Sequence, residues 1–324
     1  MSQSKTSVTP LFPKEPPLGC PAFTANFVLT ASARQAWSMF LRWYRTHGTG
    51  DVLLPAYIGY TDREGSGVFD PVRTSELGHR FYAVDEQLSV STDHLHTVLE
   101  RGGVGVLLVV HWFGLPHVNL QKVRVLCDAY GVLLVEDCAH VLGPAAGNVS
   151  GLGHTGDAAF YSFHKIYGGD SGGVLVWNRP MHGADGIPAE PGCPAGVLDH
   201  VFRTDTRAVV QHRRMLYRKF VAGLGGIEGI RVMYPEIGEY VPQSCAVQVA
   251  GGLREKLYFG LMDQGMPLTA LYYRLIQEID ESAYPEGFAV SRSILNFPVH
   301  QGVPVEMVSC VVDMTREILK QLRS

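Results

Sequence analysis

Two side chains in one stretch of this sequence could do chemistry together. Asp137 closes an apolar run, VLLVE, and Lys165 follows 28 positions later within SFHKIYGGDSGG, among aromatics and glycines. In open parallel sheets, ligands bind outside the carboxyl ends of the strands, where Asp137 would stand. A lysine flanked by aromatic rings and glycines is poorly placed for a surface ion pair. It is well placed to be partly desolvated, which lowers its pKa and makes the neutral amine a nucleophile. His140, Ser162 and His164 lie close to these two in sequence.

An acid at one strand end and a lysine in a Gly-rich loop after a later strand suit a pyridoxal 5'-phosphate site. The lysine would form a Schiff base with the aldehyde, and the carboxylate would keep the pyridine nitrogen protonated so that the ring accepts electrons. The phosphate needs backbone N–H donors at a helix start, which Ser32-Ala33-Arg34 can supply.

The elements that must position these residues are legible in the hydrophobic pattern. Trp37, Phe40, Leu41 and Tyr44 recur at helical spacing and predict a helix over 33–46, capped by Ser32 and ended by Gly48. DVLLP (51–55) reads as a short buried strand, 60–71 as a loop, FYAV (81–84) as a strand and 92–99 as a helix. VGVLLVV (104–110) and VLLVE (132–136) are continuous apolar runs, as strands covered on both faces are, with a helix over 118–130 between them. DAAFYS (157–162) and GGVLVW (172–177) are further strands. Strands alternating with helices imply right-handed βαβ units and a largely parallel sheet.

A Gly- and Pro-rich break covers 181–196. Beyond it the pattern predicts helices over 200–224, 246–264 and 305–322, with strands at 230–234 and 294–299. The expected organisation is an arm over 1–22, a large α/β domain over 23–195 that binds the cofactor, and a linking helix with a small α+β domain over 196–324.

Several segments in order resemble one family. SARQAW, LLPAYI, YAVDEQ, VVHWFGLP, VEDCAH, GDAAFYSFHK, GGVLV and ILNFPVHQGV are similar to successive elements of the DegT/DnrJ/StrS-type sugar aminotransferases, pyridoxal phosphate enzymes of fold type I. The resemblance runs from about residue 30 to the C-terminus. It implies Lys165 as Schiff-base lysine and acid–base group, and Asp137 as pyridinium partner. His140 would contact the cofactor's phenolic oxygen or ring, and Ser162 with the amides of Ala33 and Arg34 would hold the phosphate. The resemblance also implies glutamate or glutamine as amino donor, a keto acceptor on a nucleotide-linked sugar, and a homodimer.

Three departures are visible. Ser162 and Lys165 are three positions apart where the family has five, and the compact SFHK is also similar to class V aminotransferases and cysteine desulfurases, which would bring His164 into the phosphate site. Arg34 replaces a threonine. Gly59 falls where the family has an aromatic that stacks on the cofactor ring, leaving Tyr57 or Tyr60 for that role. A lyase, desulfurase or dehydratase on the same fold, with Cys193 as the thiol, and a non-catalytic relative are the other readings.

Composition sets bounds on these readings. With 324 residues and 46% hydrophobic content the chain can bury a large core. A net charge of −4 with no basic block argues against nucleic acid or an anionic membrane as partner. Six scattered cysteines without a CxxC pair, and no apolar stretch long enough to span a bilayer, fit a reduced cytoplasmic protein. Only seven of the 27 basic residues are lysines, and Lys165 alone among them has neither a polar helix face nor the arm to account for it. GLGHTG (151–156) fits GxGxxG but precedes a strand, so it reads as a loop rather than a dinucleotide site. The histidines and acids between 111 and 164 lack helical HxxxH spacing, so no metal site is expected.

Overall fold

The computed structural model describes residues 26–143, 151–181, 192–266 and 268–324. The predicted arm, with Lys5, Lys14 and Cys20, and most of the 181–196 break lie outside the described residues.

Seven strands form the main sheet: β1 (Asn26–Thr30), β2 (Asp51–Pro55), β3 (His79–Tyr82), β4 (Val104–Val110), β5 (Leu133–Cys138), β6 (Ala158–Ser162) and β7 (Gly173–Trp177). Their order is β1-β7-β6-β5-β4-β2-β3. β2 to β6 pair in parallel, whereas β7 runs antiparallel to both β6 and β1. The central strands are buried along nearly their whole length, which is why they read as unbroken apolar runs.

Helices α1 (Ala33–His47), α2 (Phe69–Ser75), α3 (Thr92–Glu100) and α4 (Leu120–Tyr130) cover this sheet, and a four-residue helix, α5 (His164–Tyr167), follows β6. In α1, Ser32 Oγ accepts from the Gln35 amide, a cap worth about 1 kcal/mol. Trp37 stacks at 5.5 Å on both Phe40 and Phe160, which fixes the helix against β6.

The C-terminal part holds α6 (Ala195–Arg203), α7 (Thr206–Leu224), β8 (Ile230–Val232), β9 (Ser244–Val249), α8 (Arg254–Asp263), α9 (Pro285–Ser293), β10 (Ile294–Pro298) and α10 (Met307–Arg323). Its sheet is antiparallel, in the order β10-β9-β8. Val308, Val311, Val312, Thr315 and Leu319 of α10 are buried, as their helical spacing predicts. Among the described residues no helix is long and apolar enough to cross a membrane.

Five elements differ from the sequence reading. The predicted helix over 246–264 is the strand β9 followed by α8. SCAVQV is buried at five of six positions, and Gly251 and Gly252, both at φ +69°, turn the chain before the helix starts. The long helix over 200–224 breaks at Thr204, where Asp205 caps α7 by accepting from the Ala208 amide. β1 and α9 have no counterpart in the sequence reading, β1 because an edge strand of five residues carries little periodic signal. The loop over 60–71 ends in the first turn of α2.

Candidate active site

The carboxyl ends of β4, β5 and β6 converge on a cavity of about 680 Å³. Asp137 and Lys165 both line it, together with Ala33, Arg34, Tyr60, His111, His140, Ser162, His164 and Tyr272.

Asp137 lies next to the end of β5, in register with Val110 of β4 and Phe160 of β6. Its Oδ1 accepts from the Ala139 amide at 2.8 Å. Burial pushes its carboxyl above the ordinary range, outweighing that amide and the charges of Lys165 and His111. Burial likewise lowers the Lys165 amine, against the opposing pull of Asp137 and Glu64, and Arg34 lowers it further. A deeply placed acid and a deeply placed amine thus face one cavity, each strained toward its neutral form.

His140 is buried, and its Nδ1 accepts from the Phe113 amide at 3.1 Å. Burial, then the charges of Lys165 and His164, hold its pKa well below the usual value. The ring is therefore neutral, and with Nδ1 accepting, the proton is on Nε2. Ser162, the last residue of β6, is hydrogen-bonded through Oγ to His164 Nδ1 at 3.1 Å. Burial and Lys165 lower the His164 pKa as well.

Ala33 and Arg34 open α1 at the same cavity. β7 approaches this helix start so closely that a Cβ on Gly173 would fall 2.5 Å from Ser32 C and 2.6 Å from Ala33 N. Arg34 donates from Nη2 to the Glu64 carbonyl at 2.5 Å and lies 3.9 Å from Asp70.

The two tyrosines of the first strand end separate. Tyr60 lines the cavity, with the Arg274 guanidinium 5.4 Å from its ring centroid. Tyr57 does not line it: its ring is fully buried, edge-on to Trp112 at 5.7 Å. The structure thus places Tyr57 in the core beside the cavity rather than among the residues that line it.

Three groups have places in the structure that the sequence reading does not assign them. Glu136 is completely buried and takes four hydrogen bonds: from the amides of Gly153, Thr155 and Gly156 at 2.7–2.8 Å and from His111 Nε2 at 2.8 Å. Although burial alone would raise it, the His111 bond and the backbone donors hold its carboxyl below the ordinary range. The GLGHTG segment is thus a cradle for the protein's own carboxylate. Among the described residues His111 Nδ1 has no hydrogen-bond partner, and its ring lines the cavity. Arg213, on α7, is buried and donates to the carbonyls of Lys165 (3.4 Å) and Ile166 (3.0 Å), while Gln301 Nε2 donates to those of Ile166 and Tyr167. The C-terminal part therefore holds the helix that carries Lys165. Glu136 and Arg213 find their partners through folding, at separations no local pattern signals.

Cys193 is half-buried, and it is not among the cavity residues. Burial raises its thiol pKa, the wrong direction for a nucleophile.

Comparison with known proteins follows the same lines. Residues 76–181 match the model of the DegT/DnrJ/EryC1/StrS aminotransferase family. A 98-residue stretch, 30% of the chain, is 34% identical to GDP-perosamine synthase of Vibrio cholerae; the match spans 26% of that protein's own length. Among solved structures, the aminotransferase TlmJ from Streptoalloteichus hindustanus superposes with a TM-score of 0.70 at 21% identity, over 91% of this chain and 86% of that one. Spr1654 from Streptococcus pneumoniae, in its PLP form, gives 0.75 at 15% identity, over 93% and 88%. The fold is that of the fold-type-I aminotransferases, a mostly parallel sheet between helices with a smaller α+β part. The stretch that carries both Asp137 and Lys165 thus lies within the part of the chain that is similar to the DegT/DnrJ/EryC1/StrS aminotransferase family.

Proposed function

We propose that this chain is a pyridoxal 5'-phosphate-dependent aminotransferase that moves an amino group from an amino acid donor to a keto acceptor, of which a nucleotide-linked keto-sugar is the favoured class. The observation that carries this reading is the pairing of buried Asp137 with Lys165 across one cavity at the strand ends, within the segment that matches the family.

The donor set fits the cofactor. Asp137 is a carboxylate that burial disfavours and that a protonated ring nitrogen would relieve. His140 presents a neutral imidazole whose Nε2–H can donate to a phenolic oxygen. The first amides of α1, with Ser162 and His164, form a cluster suited to the phosphate, and the Arg34 guanidinium adds positive charge beside it. When bound, the cofactor would supply an electron sink for the donor's Cα–H bond electrons.

The residues of this chain do the rest. Lys165 Nζ would hold the cofactor through its aldehyde carbon and would carry a proton between the donor Cα and the cofactor C4′. Burial, by lowering its pKa, favours the neutral amine that can accept that proton. Asp137 would keep the ring nitrogen protonated, and Tyr60 and Tyr272 both line the cavity that would hold the ring. We assign the large α/β domain to residues 23–195 and the linking helix and small domain to 196–324. The assembly is a homodimer, and the compartment is the cytoplasm.

Spectroscopy tests this directly. The purified protein should show the visible absorbance of a lysine-bound cofactor, lose it on addition of glutamate or glutamine, and release the matching 2-keto acid in stoichiometric amount. Lys165→Ala should lack the band. A band retained in that variant, or a wild type that takes up no pyridoxal phosphate, would overturn the assignment. A desulfurase is disfavoured by the position of Cys193 away from the cavity; elimination products in place of keto acid would restore the lyase reading.

A further inference from the structure

We propose that Tyr272, from the C-terminal part of the chain, supplies the aromatic face against which the flat ring of the cofactor lies, in the space that a side chain at position 59 would otherwise fill. The inference deepens the reading above and rests on it.

Gly59 lines the cavity, and its φ does not lie in the left-handed region, so its backbone does not demand glycine. Space does. A Cβ at 59 would fall 2.5 Å from Tyr272 Cδ1, 3.2 Å from Cε1 and 3.3 Å from Cα. Even alanine would strike the tyrosine ring.

Tyr272, in turn, occupies a conformation that bulky residues avoid. Its φ is 61°, a left-handed backbone that persists only where the surroundings over-determine it, and such outliers gather at ligand sites. The surroundings here do over-determine it. Gly59 and Leu275 form an antiparallel bridge, the Tyr60 amide donates to the Arg274 carbonyl at 2.9 Å, and the Ile276 amide to the Ile58 carbonyl at 3.0 Å. On the other side, the Leu271 amide donates to Asn296 Oδ1 at 2.9 Å. The segment is sewn to the first strand end and to β10 at once.

The ring so placed faces the chemistry. It lines the same cavity as Lys165, lies 6.2 Å from the His140 ring and 5.3 Å from the Tyr57 ring, and is close enough to Asp137 for that charge to act on its hydroxyl. Neither tyrosine of the strand end is as well placed: Tyr57 is off the cavity, and the Tyr60 ring is engaged by the Arg274 guanidinium. A planar heteroaromatic held by Asp137 at one edge and Lys165 at another needs an aromatic face, and Tyr272 is the half-buried cavity aromatic that offers one.

The experiment measures the pyridoxal phosphate dissociation constant and the circular dichroism of the bound cofactor's visible band, in wild type and four variants. Tyr272→Phe should bind within about threefold of wild type. Tyr272→Ala, and Tyr272→Leu as the variant that keeps apolar bulk, should each lose roughly 5- to 150-fold in affinity, the span of a lost aromatic stack, and change the dichroic band. Thermal unfolding of the cofactor-free variants confirms that they fold. Tyr272→Ala with Gly59→Phe, which returns a ring to the vacated space from the other strand, should recover most of the lost affinity. Unchanged affinity and dichroism in Tyr272→Leu beside a wild type that binds normally would overturn the proposal, as would a double variant no better than Tyr272→Ala. A wild type that binds no cofactor would remove both this inference and the reading beneath it, and only that outcome touches both.

Discussion

Glu136 and Asp137 are neighbours in sequence with opposite electrostatic fates. Glu136 is surrounded by four donors and is held ionised, so it is a structural anion. Asp137 takes one amide and is driven toward its neutral form, so it is a carboxylate in want of a cation. Two substitutions should separate these roles. Asp137→Asn keeps the shape and removes the charge; kcat should fall roughly 10²–10³-fold, the usual loss of one preorganised electrostatic partner, with little change in the urea midpoint. Glu136→Gln turns an amide NH₂ toward the backbone N–H groups that now donate to the carboxylate; stability should fall by about 1–3 kcal/mol, read from denaturant unfolding. Equal effects of both on kcat would contradict the division. At this scale the sequence was informative where chemistry follows local pattern. Asp137 after VLLVE and Lys165 before GGDSGG could be read directly. Tyr272 could not, because its place depends on a strained backbone and on a glycine more than 200 residues upstream.

The element that matters most is also the shortest. A four-residue helix has no stability of its own, since nucleation costs more than one turn returns. α5 is held from outside: Arg213 and Gln301 take the carbonyls of Lys165, Ile166 and Tyr167, and His200 Nε2 bonds the Tyr167 carbonyl at 2.9 Å. Burial pushes the Arg213 pKa down to about 10, still far enough above neutrality for the guanidinium to remain charged and donate fully. Arg213→Gln should free these carbonyls, lower stability by about 2 kcal/mol, and shift the pH at which the lysine-bound cofactor's visible band titrates. An unchanged titration would reduce Arg213 to a packing residue. Elements themselves were legible in proportion to their burial. β4, β5 and β6 read clearly as apolar runs, and α10 by its stripe. β9 was mistaken for helix because SCAVQV continues into a helix, and the two glycines between them are small enough to pass as helical positions.

For the whole molecule, acid sensitivity follows from buried neutral histidines. Burial lowers the His117 pKa from 6.5 to about 4, and that of His140 as well. The unfolded chain therefore binds more protons than the folded one below pH 6.5. Stability is full above that value and lost as pH falls toward about 4, with His117 alone accounting for about 3 kcal/mol. Asp137, raised by burial, works in the opposite direction over part of this window, whereas Glu136, lowered, contributes its own loss only below the ordinary carboxylate range. Urea midpoints between pH 7 and 4.5 should decline, and His117→Gln, which keeps a donor for the Trp112 carbonyl but does not titrate, should flatten the decline. A parallel slope in that variant would assign the acid sensitivity elsewhere.

The stitching of residues 274–276 to residues 58–60 also sets an order of events during synthesis. The start of α1 and Asp137 leave the ribosome first, and Lys165 follows some hundred residues before Tyr272. At ~5–20 residues per second this is an interval on the order of 5–20 s. During that interval the growing chain has the floor of its cavity and its reactive amine, gains the Arg213 brace on α5 partway through, and still lacks the aromatic wall. A chain arrested short of residue 268 would expose Lys165 to any aldehyde in solution without selecting one, so selectivity is the last property this protein acquires as it is made.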